Sequence, residues 1–310
     1  MTVAKATQTN ISFKNIMLAT DFSPASDNAL GYAAAIARLH DGKLILAHAI
    51  PPEARTSVPL DPLPLSLDRD LQEAEVHMRQ LTRGKLLEHI AHEDVIERGP
   101  TCEVILDLIV RNNVDLLVVG THGRGALKKL LLGSVAEELF RLAACPVLTV
   151  GPGASVPSAA EPDICRVLFA TDFSPTSLRT LPYATSIARA NKAQLILLHI
   201  LPVAPLAGES SFWPLASDVI EWLEKTRLAD LEQLRKLIPP EENLPRNPDF
   251  LVKFGFVPEG IVSTAGEIKA DLIVMGINKS SAARAAAHLY WSTAHHVVCE
   301  ALCPVLTIRG

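Results

Sequence analysis

The residues of this chain best suited to chemistry lie between Gly120 and Ser134, in the stretch GTHGRGALKKLLLGS. A short apolar run, DLLVV, precedes it and an apolar-periodic segment follows, so it reads as a turn from a buried strand into a helix. Gly120, Gly123 and Gly133 open the backbone to close approach, and amides in such a turn can point at a phosphate. Gly133 and Ser134 fall at the start of the following helix. There, N–H groups without intrahelical partners and the positive end of the dipole favour an anion. The Ser134 hydroxyl adds a donor; Arg124, Lys128 and Lys129 are candidates for added positive charge, with a solvated helix face as the alternative reading of the two lysines. A nucleotide is the first ligand to consider, with a plain glycine turn as the alternative. The spacing is not the Walker pattern, because no Gly-Lys-Ser/Thr follows. Nor is it GxGxxG at the first strand, which ends in ATDFSP without a glycine.

The elements that must position this stretch occur twice. Residues 16–50 align with 167–201 without a gap, with 17 of 35 positions identical. DLLVVG at 115–120 pairs with DLIVMG at 271–276, and CPVLTV at 145–150 with CPVLTI at 303–308. The chain is a tandem duplication: residues 1–151 form a first unit, 152–163 a linker rich in Pro, Ala and Ser, and 164–310 a second unit. Each unit reads as strand, helix, strand, long amphipathic helix, strand, helix, strand, loop, helix, strand. The long helices are expected near 68–92 and 216–238, each after a Pro-rich loop, at 51–67 and at 202–215 with Phe212 and Trp213. Strands apolar on both faces alternating with helices imply an α/β fold of doubly wound, open parallel sheets, five strands per unit. In such sheets ligands bind beyond the carboxyl ends of the strands, at the switch point. Thr20–Asp21 and Gly120 both follow strands, and the sheet order that would make them neighbours is an assumption from sequence alone. Asp21 has two readings, a cap for the helix starting near Pro24 and a carboxylate for a nucleoside's amino or hydroxyl groups.

Composition narrows the classes. A formal net charge of −5 and the lack of a long basic run argue against a nucleic-acid surface. No apolar run approaches the roughly 20 residues that span a bilayer. Five cysteines, an odd number at irregular spacings, show no disulfide framework. Cys299 and Cys303 read as small buried residues, with a thiol or metal site as the alternative. No leader pattern is recognisable at the amino end, so a reduced, cytoplasmic location without a membrane is expected.

These residues resemble the universal stress protein family in a tandem two-domain form, over nearly the whole chain. Its ATP-binding members carry Gly, two residues, Gly, nine residues, then Gly followed by Ser or Thr. Gly120, Gly123, Gly133 and Ser134 fit without a gap, together with TDFSP after the first strand. The resemblance implies that Asp21, with Thr20 beside it, contacts the nucleoside, and that Ala49 packs against adenine. It implies that Gly120, Thr121, His122, Gly123 and Arg124 form the ribose and phosphate loop, and that Gly133, Ser134 and Val135 surround the β- and γ-phosphates. ATP or another adenine nucleotide is the implied ligand, with Mg2+ or Mn2+ able to accompany the phosphates. No dedicated metal ligand set and no catalytic residue is identified. The family's pairing through last strands implies an internal pseudo-dimer of the two halves, with further homodimerisation open. In the second half Lys279 stands where Gly123 would, Trp291 replaces Gly133, and Ser292 and Asp172 are kept. One competent site per chain, in the first half, is therefore expected. The role that the resemblance implies is that of a stress-response regulator or sensor; the alternatives are a slow ATPase or phosphotransferase and a scaffold without nucleotide.

Overall fold

The computed structural model describes residues 11–52, 63–121, 132–154, 164–202, 216–277 and 293–310. The first half runs β1 (Asn15–Ala19), α1 (Pro24–His40), β2 (Lys43–Ile50), α2 (Leu63–Thr82), β3 (His92–Arg98), α3 (Thr101–Arg111), β4 (Leu116–Gly120), α4 (Ser134–Leu142) and β5 (Val147–Val150). The second runs β6 (Arg166–Ala170), α5 (Pro175–Leu178), α6 (Leu181–Ala190), β7 (Gln194–Pro202), α7 (Ala216–Leu237), β8 (Asp249–Gly255), α8 (Val257–Glu267), β9 (Leu272–Ile277), α9 (Thr293–Glu300) and β10 (Val305–Arg309). Each half forms a parallel five-stranded sheet. Antiparallel pairing of β5 with β10 joins them into one sheet of order β3-β2-β1-β4-β5-β10-β9-β6-β7-β8. At that seam Thr149 Oγ1 donates to the Val305 carbonyl at 3.1 Å and Thr307 Oγ1 to the Val147 carbonyl at 3.2 Å.

The sheet is buried on both faces because its central strands carry almost no polar side chains. Ile16, Met17 and Leu18 of β1 alternate between the two helical layers, and all three are fully buried. The amino ends of the central strands are tied by the same device in both repeats. Asp115 Oδ2 accepts the amides of Lys14 and Asn15, at 2.7 and 3.1 Å. Asp271 Oδ2 accepts those of Cys165 and Arg166, at 2.8 and 2.9 Å. Among the described residues no helix is long and apolar enough to cross a membrane.

Several local expectations shift. The long helix of the first half covers Leu63–Thr82 rather than 68–92, so residues 63–67 of the expected loop are helical. It stops short of Gly84, whose amide turns back to the Leu81 carbonyl at 3.5 Å, and β3 takes the residues beyond. In the second half the counterpart of α1 breaks into α5 and α6, because Pro182 replaces Gly31 and brings no N–H to continue the ladder. Thr180 Oγ1 closes the break on the Ser177 carbonyl at 2.7 Å. The linker begins with a turn in which the Ala154 amide bonds the Gly151 carbonyl at 3.1 Å, with Pro152 and Gly153 exposed and Ala154 buried. Residues 155–163, Phe212 and Trp213 lie outside the described residues.

Burial sets a pH dependence. Desolvation holds the His295 imidazole below its ordinary 6.5, helped by the charge of His296 and opposed by Glu137. Desolvation also lowers His40, helped by Lys14 and opposed by Asp115. As pH falls through the ordinary value, the unfolded chain takes up protons that the folded chain refuses, and stability declines toward acid. The urea midpoint is expected to be lower at pH 5.5 than at pH 7.5, and His40→Gln with His295→Gln to flatten that difference. An undiminished difference in the double variant would assign it to other groups.

Candidate nucleotide site

The strand order places the two sequence candidates side by side. The chain moves outward from β1 to β2 and β3, then returns to the other side of β1 with β4 and β5. The switch point is therefore the β1–β4 pair. Ala19 lies opposite Val119, so Thr20–Asp21 and Gly120–Thr121 leave the carboxyl edge as neighbours.

Asp21 does not cap the helix. Ser23 is the N-cap of α1, its hydroxyl accepting the Ser26 amide at 3.3 Å. Asp21 Oδ1 accepts the Ser23 amide at 3.1 Å, and this turn holds Phe22 at φ 58°. A bulky residue at positive φ is strained by about 1–3 kcal/mol and persists only where surroundings over-determine it. Here they do: the Phe22 amide donates to Thr20 Oγ1 at 3.0 Å, and its ring lies 4.4 Å from that of His48 and 5.3 Å from that of His77. His48 Nδ1 in turn lies 2.8 Å from the Thr20 carbonyl. The second half repeats the device, with Phe173 at φ 60°, the Ser174 amide on Asp172 Oδ1 at 3.0 Å and His199 Nδ1 at 2.8 Å from the Thr171 carbonyl. Sequence reading missed Phe22, His48 and His77. TDFSP contains no glycine to signal a left-handed residue. Ala49, in β2, is buried on the face shared with Met17 and Val119.

Gly120 owes its lack of a side chain to packing. Its backbone is not at positive φ. A Cβ there would stand 2.8 Å from the backbone carbon and oxygen of Ala25 and 3.0 Å from the Ser26 nitrogen, inside the first turn of α1. Gly276 meets Ser177 in the same way, at 2.9 Å from its Cα. This explains why both repeats keep that glycine.

The neck of the loop closes on itself. Buried Thr121 donates its amide to the Val150 carbonyl at 3.0 Å, and its carbonyl accepts the Gly133 amide at 2.8 Å. Gly133 is the N-cap of α4, at φ −60° and ψ 142°, and as a glycine it brings no side chain to cap the helix. Ser134 and Val135 are exposed on its first turn. Thr20, Asp21, Gly120, Thr121, Gly133, Ser134 and Val135 thus gather at the carboxyl edge of β1 and β4 and the start of α4. His122, Gly123 and Arg124 lie outside the described residues, as do Lys128, Lys129, Lys279, Trp291 and Ser292. Burial pushes the thiols of Cys102 and Cys303 up to about 12 and that of Cys145 up to about 11, away from the range in which a thiol ionises readily. Among the described residues no group of three or more His, Cys, Asp or Glu is placed to hold a metal ion.

The universal stress protein family model matches residues 12–151 and again 164–309. The chain belongs to the universal stress protein family. A family member of Thermus aquaticus is 35% identical over 146 residues, which is 44% of this chain and 98% of the relative, a protein the size of one half. A universal stress protein of Mycobacterium tuberculosis H37Rv is 31% identical over 232 residues, covering 70% of this chain and 74% of its own. The crystal structure of a universal stress protein from Archaeoglobus fulgidus superposes with a TM-score of 0.68 at 20% identity, covering 95% of this chain and 98% of the other. That likeness extends the family's fold across both halves.

Proposed function

We propose that this chain is a cytoplasmic stress-response regulator that binds one ATP, or another adenine nucleotide, in its first half. The observation that carries the reading is the closed loop neck. Thr121 and Gly133, the two ends of the glycine-rich stretch, meet at the switch point through the Gly133–Thr121 hydrogen bond, and Gly133 leads directly into α4. Asp21, released from capping and fixed by Ser23, supplies a carboxylate beside that neck for the nucleoside. Ser134 and the first-turn amides of α4 face the phosphates. Mg2+ or Mn2+ would ride on the phosphate oxygens. The two halves act as an internal pseudo-dimer through the β5–β10 seam, the second supplying the frame without a competent loop.

Equilibrium dialysis with ATP is expected to give one nucleotide per chain, and Gly123→Lys, which copies Lys279, to abolish it. Two sites of similar affinity would overturn the assignment to the first half. No binding of ATP, together with no adenine nucleotide released from the purified protein, would overturn the nucleotide reading itself. Turnover measured beside Gly123→Lys separates regulator from enzyme: binding without turnover is expected. Rapid hydrolysis lost in the variant would make the chain an ATPase.

A further inference from the structure

The turn that carries Asp21 is held by three elements besides the strand it follows. Phe22, at φ 58°, has its ring against two histidines, His48 of β2 at 4.4 Å and His77 of α2 at 5.3 Å. The Phe22 amide donates to Thr20 Oγ1 at 3.0 Å and the Ser23 amide to Asp21 Oδ1 at 3.1 Å. Thr20 Oγ1 in turn donates to Ser26 Oγ at 3.0 Å, which ties the turn to the start of α1. His77 is exposed, and its neighbour Met78 anchors α2 in the apolar core. The second repeat keeps the strand's histidine and drops the helix's. Phe173, at φ 60°, lies 4.6 Å from the ring of His199. MRQL at 78–81 aligns with LRKL at 234–237, so His77 corresponds to Gln233, and α7 has no ring at that position. α7 approaches His199 itself, with Asp230 Oδ2 3.8 Å from Nε2.

We propose that His77 is a positioning residue of the first-half site, through which α2 and the nucleoside end of the ligand control each other. This rests on the nucleotide reading and adds its regulation. A left-handed phenylalanine returns to negative φ unless its surroundings hold it. His77 packs on the ring and favours the left-handed turn; without it the turn gains a second, relaxed arrangement. In that arrangement the Ser23 amide leaves Asp21 Oδ1, and the carboxylate no longer waits in one place for the nucleoside's donors. Holding it there before the ligand arrives is what raises affinity. The coupling is reciprocal by linkage: a nucleoside held by Asp21 favours the left-handed turn and so tightens α2 against Phe22. α2 is therefore the element that reports occupancy, and α7, built without the ring, does not.

The test measures ATP and adenosine binding by full-length chains. His77→Ala is expected to weaken both ligands alike, by about fivefold, the scale of one aromatic pair, with the urea midpoint nearly unchanged. His77→Phe, which keeps a ring, is expected to restore both. Gln233→Ala, at the equivalent position of α7, is expected to change neither. Unchanged affinity in His77→Ala overturns the proposal, as does no recovery in His77→Phe or an equal loss in Gln233→Ala. Hydrogen exchange gives a second readout. Without ligand, the Phe22 and Ser23 amides are expected to exchange faster in His77→Ala than in the wild-type chain; equal rates overturn the clamp whether or not a nucleotide binds. In the wild-type chain, adenosine is expected to slow exchange in 74–82 of α2 and to leave 230–237 of α7 unchanged. No slowing in α2 overturns the coupling. A wild-type chain that binds neither ligand overturns the nucleotide reading, whereas wild-type binding that His77→Ala leaves unaltered overturns the positioning role alone.

Discussion

Gly133→Trp is expected to bind ATP at least about 100-fold more weakly than the wild-type chain, roughly 2.7 kcal/mol, with the fold nearly intact. The substitution copies into the first repeat the tryptophan that the second carries at position 291. Gly133 sits at φ −60° and ψ 142°, an extended conformation open to any residue, so its backbone makes no demand for glycine. As the N-cap of α4 it holds its place through its own amide on Thr121, and an indole leaves that bond in place. Losing glycine at a cap changes stability by less than about 1 kcal/mol. On the proposed reading, an indole there obstructs a phosphate's approach to the first-turn amides. Calorimetric titration with ATP and a urea midpoint, measured on the same preparation, check both halves of this expectation. Wild-type affinity in the variant would remove the start of α4 from the site.

Gly120→Ala is expected to do the opposite, costing the fold about 1–3 kcal/mol. Its added carbon meets backbone atoms of Ala25 and Ser26 at 3.0 Å or less, and backbone cannot rotate away as a side-chain tip can. The first turn of α1 must shift, and with it the Ser23 cap and the turn that fixes Asp21. Gly276→Ala, against Ser177, is expected to cost a similar amount. Only the first substitution disturbs the proposed site. Urea midpoints should therefore fall together, while ATP affinity among the folded molecules falls in Gly120→Ala alone. A stable Gly120→Ala chain would show that α1 can retreat from β4 at little cost.

The contrast between these glycines shows what the sequence made legible. The duplication, the order of elements and the doubly wound parallel sheet follow from apolar strands at matched spacings, and they hold. The G-x2-G-x9-G-S spacing marked the loop, but spacing cannot separate a glycine needed by packing from one needed by a ligand. Gly120 reads as part of a phosphate loop, and the fold uses it to admit α1. Asp21 was open between cap and ligand group, and the Ser23 cap closes the first option. Phe22 was illegible because its left-handed backbone is imposed by tertiary contacts with His48 and His77, against local preference. Cys299 and Cys303 both read as small buried residues, and the structure buries Cys303 while leaving Cys299 half-buried on α9. Pro182 was visible, yet its breaking of the helix into α5 and α6 was not anticipated, because the flanking positions match α1 so closely.

The antiparallel seam imposes an order of events during synthesis. β5 ends at Val150 and its partner β10 ends at Arg309, so about 160 residues separate their emergence from the ribosome. At 5–20 residues per second, a completed first half waits roughly ten to thirty seconds with a strand edge unpaired. All four residues of that strand are apolar or buried in the finished protein, and such an edge is a template for the wrong chain. Covalent fusion answers the hazard by supply: the tethered second half presents β10 at an effective concentration on the order of millimolar once it folds. Crowded polysomes carrying many waiting first halves are where that advantage is smallest, and where exchanged, strand-swapped pairs of chains would form.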